Sequence, residues 1–241
     1  MPKPRKTGTA TAPSRQAAGP AARAQDAYTH LLTELLEGAL MPGDWLSVVA
    51  VADHLGCSRV PVMEAVKRLA SEGFLTIVPQ VGSRVVRPLP DEVHDFFTLF
   101  AAVEGCVTRL AAERRTAEDL IHFRQVCQGV DAMLKAAGRP ETRDPAYRRA
   151  NLLFHQELHR LARAPSACAI AANLWDRSDF YIKAAFGSLY FSSAVRRAHA
   201  AIRRAVIQGD PEAAEVAVEG HLRAVGVGVS SRLHSESQGT P

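Results

Sequence analysis

With 241 residues the chain is long for one compact helical domain and comfortable for two. Hydrophobic residues make up 47% and aromatics only 6%, with alanine throughout, which favours helices packed through small and aliphatic side chains over a β-sandwich. A formal net charge of +4 is compatible with a nucleic-acid partner without demanding one, and no apolar run reaches the roughly 18–20 residues of a membrane span.

Residues 1–23 read as a disordered basic tail: Lys3, Arg5, Lys6, Arg15 and Arg23 stand among Pro, Gly, Thr and Ala with no acid. Such a tail is either a solvated leader or a source of extra phosphate contacts. It lacks the apolar stretch of a signal peptide, so a cytoplasmic protein is expected. The four cysteines (Cys57, Cys106, Cys127, Cys168) are widely separated, without a C-x-x-C pair, and are expected to be reduced thiols.

Tyr28, Leu31, Leu32, Leu35 and Leu36 share one face of a 3.6-residue period, which predicts a helix over 24–37 ended by Gly38. Pro42-Gly43 turns the chain. Ser47 is a plausible cap for a helix through Leu55, with Val48, Val51, Ala52 and Leu55 at helical spacing and Gly56 closing it. Ser58 opens the next helix, in which Pro61 falls in the first turn, where no intrahelical N–H is lost. Val62, Ala65, Val66 and Leu69 give that helix its buried face, and Gly73 ends it. The period then changes: 74–78 and 84–87 are short β-rich segments joined by Pro79-Gln80-Val81-Gly82-Ser83, a hairpin signal. Three short helices and a hairpin make 24–87 a winged helix-turn-helix. Pro88-Leu89-Pro90 is a stiff linker. About six helices follow over 91–232, near 91–114, 116–137, 143–164, 166–187, 190–208 and 210–232, and 233–241 reads as a disordered tail. The fold class is therefore mostly α: a winged domain, then an all-helical bundle.

A helix entered through a tight turn from another helix can present its leading residues to base edges, because the major groove accepts one helix. Those residues are Ser58, Arg59 and Met63, with Lys67 and Arg68 farther along. Arg59 suits bidentate contact to guanine, and Ser58 suits phosphate as well as capping. At the expected wing tip, Gly82 allows close backbone approach and Arg84 can reach phosphate or the minor groove. Charges of this kind also serve simply to solvate helix faces. It is their combination with two short helices, a capped third and a hairpin that favours double-stranded DNA.

The runs Gly38-Ala39-Leu40-Met41-Pro42-Gly43, Val51 through Leu69 (with Leu55-Gly56-Cys57-Ser58-Arg59-Val60-Pro61-Val62-Met63-Glu64-Ala65) and Glu72-Gly73-Phe74 resemble the GntR family of bacterial regulators. One departure stands at Met63, where the family usually has a base-reading arginine. Residues 91–232 resemble the ligand-binding FCD domain of the FadR-like subgroup. The resemblance rests on Asn151-Leu152-Leu153-Phe154-His155, on His199 followed by Ile202, and on His221-Leu222.

Histidines 44 and 22 residues apart are not a metal signature by spacing, although imidazoles from three helices of a bundle can hold a divalent ion. The resemblance implies that His155, His199 and His221 are ligands for zinc or nickel, with Asn151 at the position usually held by aspartate. It further implies a small organic acid as effector, its carboxylate near the metal, and repression relieved on binding. Arg177 and Tyr181, one turn apart, either line the same cavity or are ordinary packing residues. Phe100 stands where members often carry arginine in R-x-x-L-E, ahead of Glu104. His159 is expected to be structural or exposed, since His155-Gln156-Glu157-Leu158-His159 lacks the H-E-x-x-H arrangement. A homodimer on a pseudo-palindromic operator matches twofold symmetry. Two alternatives remain open: a metal-dependent enzyme using the histidine cluster, and an effector-independent DNA-binding protein.

Overall fold

The computed structural model describes residues 19–136, 145–187 and 193–238. Most of the expected basic tail, at 1–18, and the extreme C-terminus lie outside them.

Helix α1 (Pro20–Glu37) begins earlier than its apolar stripe does, since Pro20 sits in the first turn, where a missing N–H costs nothing. The last residues assigned to the tail, Pro20 to Arg23, are thus helical. Strand β1 (Trp45–Leu46) leads into α2 (Val48–Leu55), where the Ser47 hydroxyl accepts the Ala50 N–H at 3.2 Å as a cap. Helix α3 (Arg59–Ser71) packs on α1 through Val62, Ala65, Val66 and Leu69, all buried. Strands β2 (Leu75–Val78) and β3 (Gly82–Val85) form the expected hairpin. The sheet is three-stranded and antiparallel, in the order β1-β3-β2, because Trp45 and Leu46 pair with Arg84 and Ser83.

The second domain comprises α4 (Pro90–Arg114), α5 (Ala117–Ala136), α6 (Pro145–Ala162), α7 (Pro165–Phe186), α8 (Ser193–Gln208) and α9 (Pro211–Gln238). The caps read from sequence are present. Thr116 and Asp119 exchange reciprocal bonds at the start of α5, and the Asp210 carboxylate accepts the Ala213 N–H at 3.0 Å. Helix α9 continues six residues past 232, into the segment expected to be a tail.

The main seam of this domain joins α4 to α9. A Cβ added at Gly226 would lie 2.4 Å from the Phe97 Cβ, so only glycine lets the two helices come this close.

The two domains also touch directly, away from the linker. Phe74 meets Phe180 edge-on at 5.5 Å, and the Arg177 guanidinium lies against Gly73. Lys183 lies against Gly38, where α1 ends. Helix α7 is therefore packed on the winged domain along one side.

Candidate nucleic-acid interface and candidate metal centre

Ser58, Arg59 and Val60 are all exposed at the leading end of α3, as are Lys67 and Arg68 farther along, while Met63 is half-buried against the core. That end is open because the turn at Gly56-Cys57 and the buried Pro61-Val62 pair fix the helix from its other face. Ser58 has the extended backbone of a cap residue, but its hydroxyl makes no capping bond. The expectation that it caps α3 through its side chain is corrected on this point. The first-turn N–H groups of α3 therefore face outward as donors suited to a phosphate.

Two further DNA-contact expectations change. The Arg68 guanidinium lies 3.6 Å above the Tyr28 ring, donates from Nε to Glu72 at 3.0 Å and donates from Nη1 to Gln25 at 3.1 Å. It ties α3 to α1 instead of standing ready for DNA. Arg84 lies in β3, donates from Nε to the Gly43 carbonyl at 2.7 Å and sits over Trp45. It braces the base of the wing rather than its tip. Gly82 is likewise not at the tip, since it pairs with Val78 as the first residue of β3. Its φ of +147° explains the glycine, since an added Cβ would meet the Trp45 ring at no closer than 3.8 Å, an ordinary contact. The tip is Pro79-Gln80-Val81, closed by the Val81 N–H on the Val78 carbonyl at 3.1 Å.

In the helical domain α6, α8 and α9 converge on one point. One ring nitrogen from each of His155, His199 and His221 lies within 4.8 Å of the others. Nitrogens about 2 Å from one tetrahedral ion lie about 3.3 Å apart, so a divalent ion would draw the rings inward by up to about an ångström. His155 and His221 are buried. Burial pushes all three imidazoles below their usual range, His221 to about 3; repulsion from His155 adds to it at His199 and His221, while Glu104 opposes it at His155. Neutral rings keep the lone pairs a metal needs. Nε2 of His155 and Oδ1 of Asn151 are enclosed without hydrogen-bond partners among the described residues. Buried acceptors of this kind are costly unless something partners them. The donor set, three imidazoles and an amide oxygen, fits zinc or nickel.

Glu104 on α4, fully buried, lies behind this cluster. Its Oε1 accepts the Trp175 indole N–H at 2.8 Å and meets Nε2 of His159 at 2.7 Å, while Oε2 is 3.6 Å from Nδ1 of His155. Burial alone would raise the carboxyl; His155 and His159 outweigh it and hold the group below the ordinary carboxylate range. A charged carboxylate beside Nδ1 turns the other nitrogen of His155, Nε2, toward the cluster. His159 has the structural role expected of it. The sequence signal for Glu104 was an acid inside the apolar run Phe96–Val107, which on a buried helix demands partners.

Arg177 and Tyr181 take no part in the cluster. The Arg177 Nε donates to the Tyr181 hydroxyl at 2.7 Å, and the pair packs on Phe96 and Gly73, between the domains. Their assignment to an effector cavity is corrected.

A cavity of about 320 Å³ opens next to His221 among α6, α7, α8 and α9, with walls that include Ile182, Phe186, Val225 and Val229. Among the described residues no helix is long and apolar enough to cross a membrane.

Comparison with known proteins agrees with both halves. The family described as "Bacterial regulatory proteins, gntR family" matches residues 23–85, and the FCD domain family matches 95–224. An uncharacterized HTH-type transcriptional regulator in an unstable DNA locus of Streptomyces ambofaciens is 31% identical over 202 residues, 83% of this chain and 82% of the relative. The HTH-type transcriptional repressor RspR of Escherichia coli is 28% identical over 201 residues, 83% of this chain and 86% of that one. Among solved structures, E. coli McbR/YncC superposes with a TM-score of 0.69 at 19% identity, covering 89% of this chain and 98% of the other. A winged domain with an open α3, carried on a helical domain of this pattern, places the chain in the GntR family of bacterial transcriptional regulators, in the FCD-containing, FadR-like branch.

Proposed function

We propose that this regulator is a cytoplasmic homodimeric repressor whose affinity for a pseudo-palindromic operator is lowered by a small organic acid bound in the helical domain. The observation that carries the proposal is the imidazole triad, two of its rings buried, with the enclosed Asn151 oxygen, in a domain that holds a cavity against His221 and also packs on the DNA-binding domain. Arg59 reads a base edge, with Ser58 and Lys67 exposed on the same helix and Met63 half-buried beside them. Asn151, His155, His199 and His221 hold a divalent ion, zinc or nickel. With four neutral donors the bound ion would keep its charge and supply an anchor for a carboxylate. The fully charged Glu104 lies behind His155 and is not a direct ligand.

The test begins with operators selected from random duplexes by the full chain. Elemental analysis should find close to one zinc or nickel per chain, and a His155→Ala/His221→Ala variant should lose it. Operator affinity should fall at least tenfold with an effector acid in the metal-loaded protein and not in that variant. Equal metal content in both proteins would remove these ligands from the proposal, and an operator affinity indifferent to every acid would remove the effector role.

A further inference from the structure

The walls of the cavity beside His221 differ from those of a site for a polar metabolite. None of the twelve described residues around it is an Asp, Glu, Lys or Arg, and among them polar side chains are confined to the His221 ring and the Tyr147 hydroxyl. Burial raises the pKa of that phenol and keeps it neutral. Everything else presented to the cavity is hydrocarbon or glycine backbone. At about 320 Å³ it lies at the small end of ligand sites. The arrangement is one-sided: His221, the member of the histidine cluster that lines the cavity, stands at one boundary, and no charged group faces it among the described lining residues.

Resting on the metal-anchored reading above, the geometry points to a monocarboxylate with an apolar body as the ligand of this cavity. Its carboxylate meets the ion held by the histidines, and its hydrocarbon lies against Ile182, Phe186, Val195, Val225 and Val229. A dicarboxylate would bring a second charge to a wall without a counter-charge, and a polyhydroxy acid would bring hydroxyls to a wall almost without partners. Ala194, Ala198, Gly220, Ala224 and Gly228 of α8 and α9 leave part of this space open. A Cβ at Gly228 would meet nothing within 4 Å, so a larger side chain there fills the cavity without displacing the fold.

The zinc-loaded full chain, titrated calorimetrically with octanoate, suberate, gluconate and octan-1-ol, tests the inference. Octanoate should bind at least tenfold more tightly than each of the other three: suberate and gluconate fail on the walls, octanol on the anchor. Gly228→Leu should weaken octanoate at least tenfold while keeping its zinc, and it should melt no lower than wild type, since glycine is a poor helix former. Ala224→Leu, at another lining position on α9, serves in its place if Gly228→Leu fails to fold. Suberate or gluconate binding as tightly as octanoate, octanoate binding untouched by either leucine, or no binding by any acid would overturn the inference. Operator binding separates the two claims. Octanoate preference with unmoved operator affinity sustains the ligand class and removes the effector role, whereas an operator shift produced by gluconate alone does the reverse.

Discussion

Arg59 and Arg68 sit nine residues apart on one exposed helix, yet only one of them is spare. Arg68 is stacked on Tyr28 and bonded to Glu72 and Gln25, whereas Arg59 is exposed at the leading turn. Arg59→Ala should therefore cost about 1–3 kcal/mol of specific operator binding and much less on random duplex, read by titrating both in the same salt. Arg68→Ala should instead lower the unfolding free energy by about 1 kcal/mol, read by urea titration, and leave the ratio of specific to random binding unchanged. Equal losses for Arg59→Ala on both duplexes would contradict direct base reading. The sequence makes these two residues look alike; only the neighbours supplied by α1 tell them apart. Glu104 presents the opposite case, a residue with no motif of its own whose burial makes its charge matter. Glu104→Gln keeps the shape and removes the charge beside Nδ1 of His155. It should weaken zinc by about 10–100-fold in a competition titration with a chelator. Unchanged zinc affinity would show that Glu104 serves Trp175 and His159 alone.

Among the elements, the wing shows how far a local pattern reaches. The residues Phe74–Val78 and Arg84–Arg87 announce a hairpin through β-rich composition and a Pro-Gln-Val-Gly loop, and the hairpin is there. The turn is not where its glycine is. Pro79 and Gln80 occupy the two central positions, and Gln80 takes the left-handed φ of +61° that a type II turn imposes on its third residue. Gln80→Gly should relieve this strain and raise unfolding stability by up to about 1 kcal/mol, seen as a higher urea midpoint with unchanged slope. A lower midpoint would mean that Gln80 makes contacts worth more than its strain. Strand β1 escapes any reading of periodicity, because two residues carry no period and its Trp45 is exposed. The six helices of the second domain were legible from their stripes and caps. The partner met by each stripe was not. Arg177 and Tyr181 share a face in sequence, but that face meets the winged domain and not the cavity. The histidines likewise become a cluster only when α6, α8 and α9 cross at one point.

At the scale of the molecule, α7 is the element that borders both the cavity and the winged domain. Ile182 and Phe186 line the cavity, while Phe180 packs on Phe74, Arg177 on Gly73 and Lys183 on Gly38. A ligand that shifts α7 by even a fraction of an ångström changes its fit against the winged domain, because close-packed faces do not deform smoothly. Coupling of this kind is a free energy between two sites, typically about 1–3 kcal/mol, and it is reciprocal. If octanoate lowers operator affinity by a given factor, saturating operator must lower octanoate affinity by the same factor. Phe180→Leu retains an apolar side chain in a buried position but loses the edge-on ring contact with Phe74. Both factors should shrink together, by about 0.5–2 kcal/mol, while zinc content and octanoate affinity in the absence of DNA stay near wild type. Parallel calorimetry with and without operator reads both quantities on the same protein. Undiminished factors in Phe180→Leu would move the coupling off this contact and onto the Pro88–Pro90 linker or the dimer interface.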